Sequence, residues 1–438
     1  MPLNIVIIGS GPAGFYTADA LIKACQDCRI DFIERLPTPF GLIRGGVAPD
    51  HQTTKRVTQK YEKTAMMEHV HFYGNVEIGR DVSLDELRQM YDAVVLAIGA
   101  PSDKKLTIPG ADKIGVHGSA AFVGWYNGHP DFRDLEPDLN TTTAVVIGNG
   151  NVAVDVARVL LRSPNGMAES DLPDHVSKII HAAPITDVYM VGRRGPADAK
   201  FTNVELREMG HLNMTAPRVK AYQMPEDLGA VLSQFDDRDR RLRTRNIETL
   251  KEFAECADEG KPKNVHFDFF ASPIKILGGD RVEAIRFERT RVENGKTSGI
   301  GEMFDIECGL VISSIGYRSE PIEGAPFDQK NGIIPNENGR IESGLYAVGW
   351  IKRGPSGVIS SNRPDGVIVA EYIAEDITFD SNKSGRDDLE VMLKDRHVRW
   401  TGYSDWKKLE DMEVAAAHGS APRKKFVTVE DMINALDG

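Results

Sequence analysis

Residues 3–14 read LNIVIIGSGPAG, an apolar run that passes directly into a glycine-rich turn. The apolar run predicts a buried strand, and the spacing of Gly9, Gly11 and Gly14 is the G-x-G-x-x-G pattern of a tight turn into a helix. The helix is expected over residues 12–23, with a proline in its first turn. Its free backbone N–H groups and partial positive charge would favour a phosphate at this position.

The strand that follows this helix ends on an acid. Residues 29–34 read RIDFIE, and Glu34 lies 20 positions after Gly14. At that place a carboxylate bonds the hydroxyls of an adenosine ribose, whereas it would repel a 2′-phosphate. The loop therefore favours FAD or NAD over NADP. The alternative is an incidental glycine turn, but such a turn would require neither the flanking strand and helix nor the acid. The expected phosphate contacts are Gly9, Gly11, Pro12, Ala13 and Gly14.

A second glycine loop follows a second apolar run. Residues 143–147 read TAVVI, and residues 148–153 read GNGNVA. Ala153 replaces the third glycine, an accepted variant at the position where the helix packs on the strand. The expected nucleotide contacts in this loop are Asn149, Gly150, Asn151 and Val152.

The strand after the second loop ends on arginines. Residues 187–191 read DVYMV, and residues 192–196 continue as GRRGP. The guanidinium groups of Arg193 and Arg194 would pair with a 2′-phosphate, so this loop indicates NADP, although a solvated pair of loop arginines is the alternative. Two loops with different ribose ends predict two nucleotides in one chain, a bound flavin and a visiting nicotinamide between which hydride passes.

The composition is typical of a soluble protein with several domains. A chain of 438 residues exceeds one ordinary core, so two or three domains are expected. Hydrophobic and charged residues make up 41% and 27% of the chain, and the net charge is −12. The charge argues against nucleic acid as a partner, and the lack of a long apolar run argues against a membrane span. Because the first strand begins almost at residue 1, no leader is expected, and a cytoplasmic, bacterial protein is predicted.

Three further apolar runs organise the rest of the chain. Residues 91–100, 308–317 and 344–350 each predict a buried parallel strand. The predicted fold class is therefore α/β, with two Rossmann-like dinucleotide-binding domains, the NADP domain being inserted in the FAD domain. The expected ranges are 1–103 and 331–438 for the FAD domain, with a charged helical segment at the end, and 104–330 for the NADP domain.

Four segments carry a more specific pattern than the glycine loops. They are residues 37–51 (PTPFGLIRGGVAPDH), 149–153 (NGNVA), 192–196 (GRRGP) and 349–359 (GWIKRGPSGVI). With these segments the chain resembles the adrenodoxin-reductase-type NADPH–ferredoxin reductases, including their bacterial members, over nearly its whole length. The resemblance implies hydride transfer from NADPH to FAD, then single-electron transfers to a ferredoxin-type iron–sulfur protein or a flavodoxin.

The resemblance also implies which residues contact the cofactors. On the FAD side they are Gly11, Glu34, Leu42, Val76, Trp350, Gly357, Val358 and Ile359, with Lys104 where the family often has arginine. On the NADP side they are Asn151, Val152, Arg193, Arg194 and Glu205. His51 and Glu208 would lie by the nicotinamide as positioning and proton-relay groups, although Gln52 follows the histidine where the family usually has proline.

Glu205 and Glu208 are three positions apart, which places them on one face if this stretch is helical. From the residues alone, a surface ion pair with a nearby arginine is the simpler interpretation of Glu208. A structural role is likewise the simpler interpretation of His51.

Cys25 and Cys28 raise a rival hypothesis, a flavoprotein with a redox-active dithiol. Cys25 lies about 20 Å from Gly11 along a helix that leads away from the phosphates, so the two cysteines are interpreted as incidental. Metal binding would need two further ligands, and none is obvious nearby. A subunit with its own iron–sulfur clusters would need more than the four scattered cysteines of this chain, so any cluster is expected in a partner.

An acidic protein that docks a commonly acidic ferredoxin needs a local basic patch. Five arginines lie within residues 238–245, interleaved with aspartates. They are one candidate for the docking surface, and a solvated helix face is the alternative. Lys352 and Arg353, beside the expected flavin segment, are a second candidate.

Overall fold

The computed structural model describes residues 2–25, 27–255, 260–380 and 382–438. The strands, labelled β1 to β17 in chain order, are Leu3–Ile8, Cys28–Glu34, Val70–Gly74, Ala93–Leu96, Ser102–Asp103, Val116–Gly118, Thr143–Ile147, Asp187–Val191, Thr215–Val219, Lys263–Asp268, Ala271–Leu277, Ala284–Glu293, Lys296–Glu307, Leu310–Ser313, Tyr317–Arg318, Arg340–Glu342 and Leu345–Ala347. The α-helices, labelled α1 to α16, are Pro12–Ala24, Leu42–Gly45, Gln52–Lys55, Thr58–Ala65, Leu84–Met90, Ser119–Asn127, Asn151–Leu161, Asp174–Ala182, Asn203–Gly210, Leu228–Leu232, Asp237–Glu255, Trp350–Arg353, Arg363–Asp376, Arg386–Asp395, Tyr403–Ala415 and Val429–Asp437.

The chain divides into two compact units. The first contains the chain up to Ser102, Asn127–Arg133 and Tyr317–Gly438, and the second contains Asp103–Tyr126 and Asp134–Gly316. The second unit therefore ends earlier than residue 330, the end expected from the sequence. The reason is packing, because Ile322 and Phe327 lie against the core of the first sheet. In addition, the Ser319 hydroxyl donates to the Gly99 carbonyl at 2.7 Å.

The first unit is built on a six-stranded sheet of order β16-β17-β4-β1-β2-β3. Its strands are parallel except for β16, which is antiparallel to β17. The central strand β1 is apolar and buried over most of its length, as the first apolar run predicts. Strands β4 and β17 are shorter than the runs at 91–100 and 344–350, because the chain turns at Gly99 and Gly349, whose φ angles are +72° and +73°.

The second unit is built on a six-stranded parallel sheet of order β6-β14-β7-β8-β10-β9. A three-stranded antiparallel sheet, β11-β12-β13, belongs to the same unit. Strand β14 lies within the predicted run 308–317 and is parallel to β7, although it covers only four residues. Two mainly parallel sheets, each with a strand, a glycine turn and a helix at its centre, confirm the predicted α/β class.

The first and last segments of the first unit are joined by the contact between α1 and α13. A Cβ atom added to Gly366 of α13 would lie 2.8 Å from the backbone nitrogen of Thr17 in α1. The two helices therefore touch backbone to backbone. The predicted helical and charged character of residues 385–438 is also confirmed, by α14, α15 and α16.

We expect Gly366→Ala to lower the melting temperature. Alanine improves the helical propensity of α13 by about 1 kcal/mol, but forcing a methyl group against backbone that cannot rotate away costs about 1–3 kcal/mol. Gly279→Ala is the matched control, because no described atom lies within 4 Å of the added methyl group there. Calorimetry that shows Gly366→Ala to be as stable as the control would contradict backbone contact between α1 and α13.

Candidate cofactor-binding sites

Glycine is needed at each of the three positions of the first loop for a different physical reason. Gly9 has φ +103°, and a Cβ atom there would lie 2.6 Å from the carbonyl oxygen of Ala97. A Cβ on Gly14 would lie 2.3 Å from the carbonyl oxygen of Gly9, so the helix could not start so close to the turn. At Gly11, by contrast, no described atom lies within 4 Å of an added Cβ. This open side is where a phosphate can approach the backbone at the start of α1.

Glu34 is held by the loop that it is expected to serve. Its Oε2 accepts hydrogen bonds from the backbone N–H of Ser10 at 3.0 Å and from the Ser10 hydroxyl at 2.8 Å. Its Oε1 accepts from the Leu36 N–H at 3.2 Å. The carboxylate therefore has a fixed position at the end of β2, where the hydroxyls of a ribose would be recognised.

Leu42 and Val76 border the same loop. Gly41, the residue before Leu42, comes so close that its added Cβ would lie 3.1 Å from the Gly11 Cα. Leu42 itself is exposed, as a ligand contact must be. Val76 is buried, and its N–H donates to the Glu34 carbonyl at 3.0 Å. The structure thus gathers these predicted FAD residues around the end of β2, although the Val76 side chain faces the core.

The predicted flavin segment, residues 349–359, begins with the short helix α12. The indole Nε1 of Trp350 donates to the Ser356 carbonyl at 3.1 Å, which closes the segment into a loop. Gly357 and Val358 are exposed, and Gly357 has φ +85°. Ile359 packs against the core of the first unit. Gly357 and Val358 therefore belong to the accessible part of the segment.

Asp365 organises this segment, although it is not among the site residues that the sequence indicates. It lies in the first turn of α13, and its carboxylate accepts from the Gly349 N–H at 3.1 Å and from Lys352 Nζ at 2.9 Å. Arg353 donates to the same carboxylate. Lys352 and Arg353 are thus engaged in ion pairs around a buried acid, which makes them poor candidates for docking a partner. No local sequence pattern marks Asp365, because its partners lie more than one helical turn earlier in the chain.

The second loop repeats the construction of the first. Gly148 has φ +144°, and its added Cβ would lie 2.2 Å from the Ser314 carbonyl oxygen. No described atom lies within 4 Å of an added Cβ at Gly150. The third position, where the helix packs on the strand, accommodates the wholly buried methyl group of Ala153.

The asparagines and the valine of this loop have distinct places. A Cβ on Gly192, at the end of β8, would lie 1.8 Å from Nδ2 of Asn149, so this glycine makes room for the amide. Asn151 begins α7, and its Oδ1 accepts from the Thr202 N–H at 2.7 Å, which ties the loop to the start of α9. Val152 is half-buried in the first turn of α7.

Arg193 and Arg194, which the sequence presents as an equivalent pair, are unequal in the structure. Arg194 donates to the Gly295 carbonyl at 3.1 Å and lies 3.5 Å from a carboxylate oxygen of Asp198. The side chain of Arg193 is exposed and makes no ion pair with any described residue. Of the two, Arg193 is therefore the one available to a phosphate.

Glu205 and Glu208 lie on α9 and share one arginine. The stretch is helical, which was the condition for the two acids to share one face, and Thr202 caps its start. The guanidinium of Arg158, which has no exposed side-chain surface, lies 3.3 Å from Glu205 and 3.5 Å from Glu208. It also donates to Asp155 at 2.8 Å. The expected ion pair of Glu208 with an arginine thus exists, but the arginine is buried rather than on the surface.

His51 and Lys104 were also predicted to be site residues. His51 is half-buried just before α3, and its N–H donates to the Ala48 carbonyl at 3.0 Å. It belongs to the first unit, whereas Glu208 belongs to the second. Lys104 is exposed in the second unit, where its N–H donates to the Gly316 carbonyl at 3.0 Å.

The two cysteines of the rival hypothesis are buried, free thiols: Cys25 follows the last turn of α1, at the opposite end of that helix from the glycine loop, and Cys28 begins β2. Burial raises the pKa of the Cys25 thiol, and it raises that of Cys28 to about 12. Gln26, which lies between them, is outside the described residues. Because the thiolate is the reactive form, these cysteines are unsuited to redox exchange.

Comparison with known proteins identifies first a class and then a family. Residues 3–188 match the family model described as pyridine nucleotide-disulphide oxidoreductase. The NADPH:adrenodoxin oxidoreductase of Arabidopsis thaliana is 41% identical over 464 residues, covering 99% of this chain and 95% of the relative. The human NADPH:adrenodoxin oxidoreductase is 40% identical, covering 99% of this chain and 92% of the relative. The chain belongs to the adrenodoxin-reductase family, as the resemblance implied.

A bacterial relative and its solved structure agree with this assignment. The NADPH-ferredoxin reductase FprA of Mycobacterium tuberculosis is 38% identical, covering 99% of this chain and 98% of the relative. The structure of FprA in complex with NADPH superimposes with a TM-score of 0.90 at 38% identity, covering all of both chains. Across the described ranges, no helix has the length and apolar character needed to cross a membrane.

We expect Arg158→Met to destabilise the second unit by about 3–5 kcal/mol, because three carboxylates would lose the buried guanidinium that joins them. Arg207→Met is the control, since Arg207 lies exposed on α9. Urea unfolding followed by circular dichroism would show the difference in midpoint. Equal midpoints for the two variants would mean that Arg158 does not hold α7 and α9 together.

Proposed function

We propose that the protein is an NADPH-dependent flavoprotein that passes electrons to a ferredoxin-type iron–sulfur protein. The observation that carries the proposal is the pair of glycine loops. They share one backbone construction but differ in the charge at the ribose end, with Glu34 beside the first loop and the exposed Arg193 beside the second. Membership of the adrenodoxin-reductase family supports the same activity.

FAD fits the first unit, because the open side of Gly11 can take a pyrophosphate and the fixed carboxylate of Glu34 can take a ribose. When bound, FAD supplies a ring that takes up hydride and releases single electrons. The residues proposed to hold it are Gly9, Gly11, Pro12, Ala13, Gly14, Glu34, Leu42, Val76, Trp350, Gly357, Val358 and Ile359, with Lys104 as a further contact. The backbone N–H groups of Gly357 and Val358, both exposed residues, would face the cofactor.

NADPH fits the second unit, where the open side of Gly150 and the exposed guanidinium of Arg193 provide phosphate-binding groups. The residues proposed to hold it are Asn149, Gly150, Asn151, Val152, Arg193, Arg194 and Glu205. His51 and Glu208 are proposed to position the nicotinamide and to relay protons. Arg158 would keep the Glu208 carboxylate in place for that role, through the contact at 3.5 Å.

The five arginines proposed to dock the partner differ in the contacts that they make. Arg240 donates to the Phe235 carbonyl at 2.9 Å, and the Arg243 guanidinium stacks 3.8 Å from the Phe235 ring. The others are exposed and make no ion pair with a described residue. These three, Arg238, Arg241 and Arg245, follow one face of α11 at spacings of three and four, and we call them the arginine stripe. The stripe is the part of the patch that can meet an acidic partner.

The proposed function is tested with the purified protein. A visible absorption spectrum should show bound flavin, and anaerobic titration should show reduction of that flavin by NADPH in preference to NADH. Absence of flavin, with no uptake of added FAD, would refute the proposal. A flavodoxin as acceptor and a cytoplasmic location stay predictions.

We expect Arg193→Ala to lower kcat/KM for NADPH by about ten- to a hundredfold, because one charge-assisted contact to the 2′-phosphate is lost. Activity with NADH should change little. Arg194→Ala is the matched comparison, and we expect it to have a smaller effect on NADPH because Arg194 is already bonded to Gly295 and Asp198. Steady-state kinetics with both nucleotides would test this, and an equal loss in the two variants would contradict the assignment.

We expect Arg238→Gln combined with Arg241→Gln to raise the KM for a ferredoxin several-fold at low ionic strength, since fewer charges would steer the encounter. The difference should shrink as salt is added, because screening weakens exposed charges. Arg240→Gln, which removes a charge from the same helix but outside the stripe, is the control. If the control raises the KM as much as the double variant, the stripe is not the docking surface.

A further inference from the structure

We propose that Asp365 is a positioning residue for the flavin segment, residues 349–359: its buried carboxylate holds Gly349, Lys352 and Arg353 in the geometry that accepts the cofactor. This inference rests on the proposed function, since it assigns a role within the proposed FAD site. Asp365 lies outside the segment and is not among the residues proposed above to contact a cofactor.

The carboxylate of Asp365 is an uncommon group for the interior of a protein. The residue is 7% exposed, in the first turn of α13. A buried carboxylate is stable only when it is paired and hydrogen-bonded. Here Oδ1 accepts from Lys352 Nζ at 2.9 Å, while Oδ2 accepts from the Gly349 N–H at 3.1 Å and from Arg353. All three donors come from the flavin segment, so the acid links that segment to α13.

Arg353 extends the link to the far side of the loop. One of its guanidinium nitrogens, Nη2, lies 3.1 Å from the Ser361 hydroxyl and 3.0 Å from Oδ1 of Asn362. The same nitrogen donates to the Ser356 carbonyl at 3.3 Å. That carbonyl also accepts the Trp350 indole N–H. Once Asp365 fixes Arg353, the guanidinium therefore fixes the middle of the loop.

The backbone of the segment needs such support. Gly349, Gly354 and Gly357 have φ angles of +73°, +83° and +85°. Glycine occupies this region freely but also occupies many others, so three such positions make the unsupported loop soft. The fixed side chains of Lys352 and Arg353, which lie between Gly349 and Gly354, favour one conformation. Asp365 is the acid on which those side chains converge.

The charge of Asp365 has a second consequence. Lys352 and Arg353 bring two positive charges to the flavin segment, and Asp365 offsets one of them. Asp365→Asn keeps the shape of the side chain but removes the negative charge. The added positive field would stabilise negative charge on a bound flavin ring, which shifts its midpoint potential in the positive direction.

The test compares Asp365→Asn with Asp376→Asn. Asp376 ends the same helix and also pairs with an arginine, since Arg340 Nε donates to it at 2.8 Å, but it makes no hydrogen bond or ion pair with a described residue of the flavin segment. The readouts are the dissociation constant for FAD, measured by flavin fluorescence, and the midpoint potential of the bound flavin against a reference dye. We expect Asp365→Asn to bind FAD about tenfold or more weakly and to shift the potential positively, because charged hydrogen bonds are lost. We expect Asp376→Asn to match the wild type.

Two results would overturn the inference. One is an Asp365→Asn protein with the FAD affinity of the wild type; the other is an equal loss of affinity in Asp376→Asn, which would indicate general weakening of α13. If Asp365→Asn is insoluble, Lys352→Gln gives the answer, because it removes one partner of the carboxylate from a side chain that is still 11% exposed. Unchanged FAD affinity in Lys352→Gln would then overturn the inference. A wild-type protein that binds no FAD would instead refute the proposed function.

Discussion

Each unit depends on the close approach of a glycine to the carbonyl oxygen of the residue that follows a neighbouring strand. At Gly9 the neighbour is Ala97, and at Gly148 it is Ser314. In both places a side chain would overlap the carbonyl, and φ lies in the region that favours glycine. Because the turn is so tight, the helix begins immediately beyond the strand, and its free N–H groups are offered at the carboxyl edge of the sheet. The rest of each proposed site is arranged around that helix start.

The two units share this turn but differ in the charged residue at the end of the next strand, where the ribose of a nucleotide would bind. Glu34 is fixed by hydrogen bonds to the loop itself, so a carboxylate is presented in one position. At the corresponding place in the second unit, Arg194 is anchored, whereas Arg193 is left exposed. In the proposed function, a local charge therefore distinguishes the two nucleotides, and the net charge of the protein, −12, has no part in it.

The glycine loops and their flanking strands could be predicted from the sequence because their signals are local. Strand, turn and helix follow one another within a few residues, and each has its own periodicity. The ends of β4 and β17 were predicted too far along the chain, since an apolar run does not show where the backbone turns. The inequality of Arg193 and Arg194 depends on Gly295, which lies 101 residues away from Arg194. Such a contact has no local signature.

Arg158 and Asp365 could not be predicted for the same reason, and they are physically related. Each is a buried charge on which opposite charges converge: carboxylates around Arg158, and two cations with a backbone N–H around Asp365. Burying such a charge costs free energy of desolvation, and the attraction to its partners often does no more than offset that cost. Stability alone therefore does not explain why the charge is buried. What a many-partnered charge does supply is geometry, because every partner must stay within hydrogen-bond distance of one centre. Arg158 fixes acids on two helices and Asp365 fixes a glycine-rich loop, so each ties together elements whose own backbone would leave them free to move.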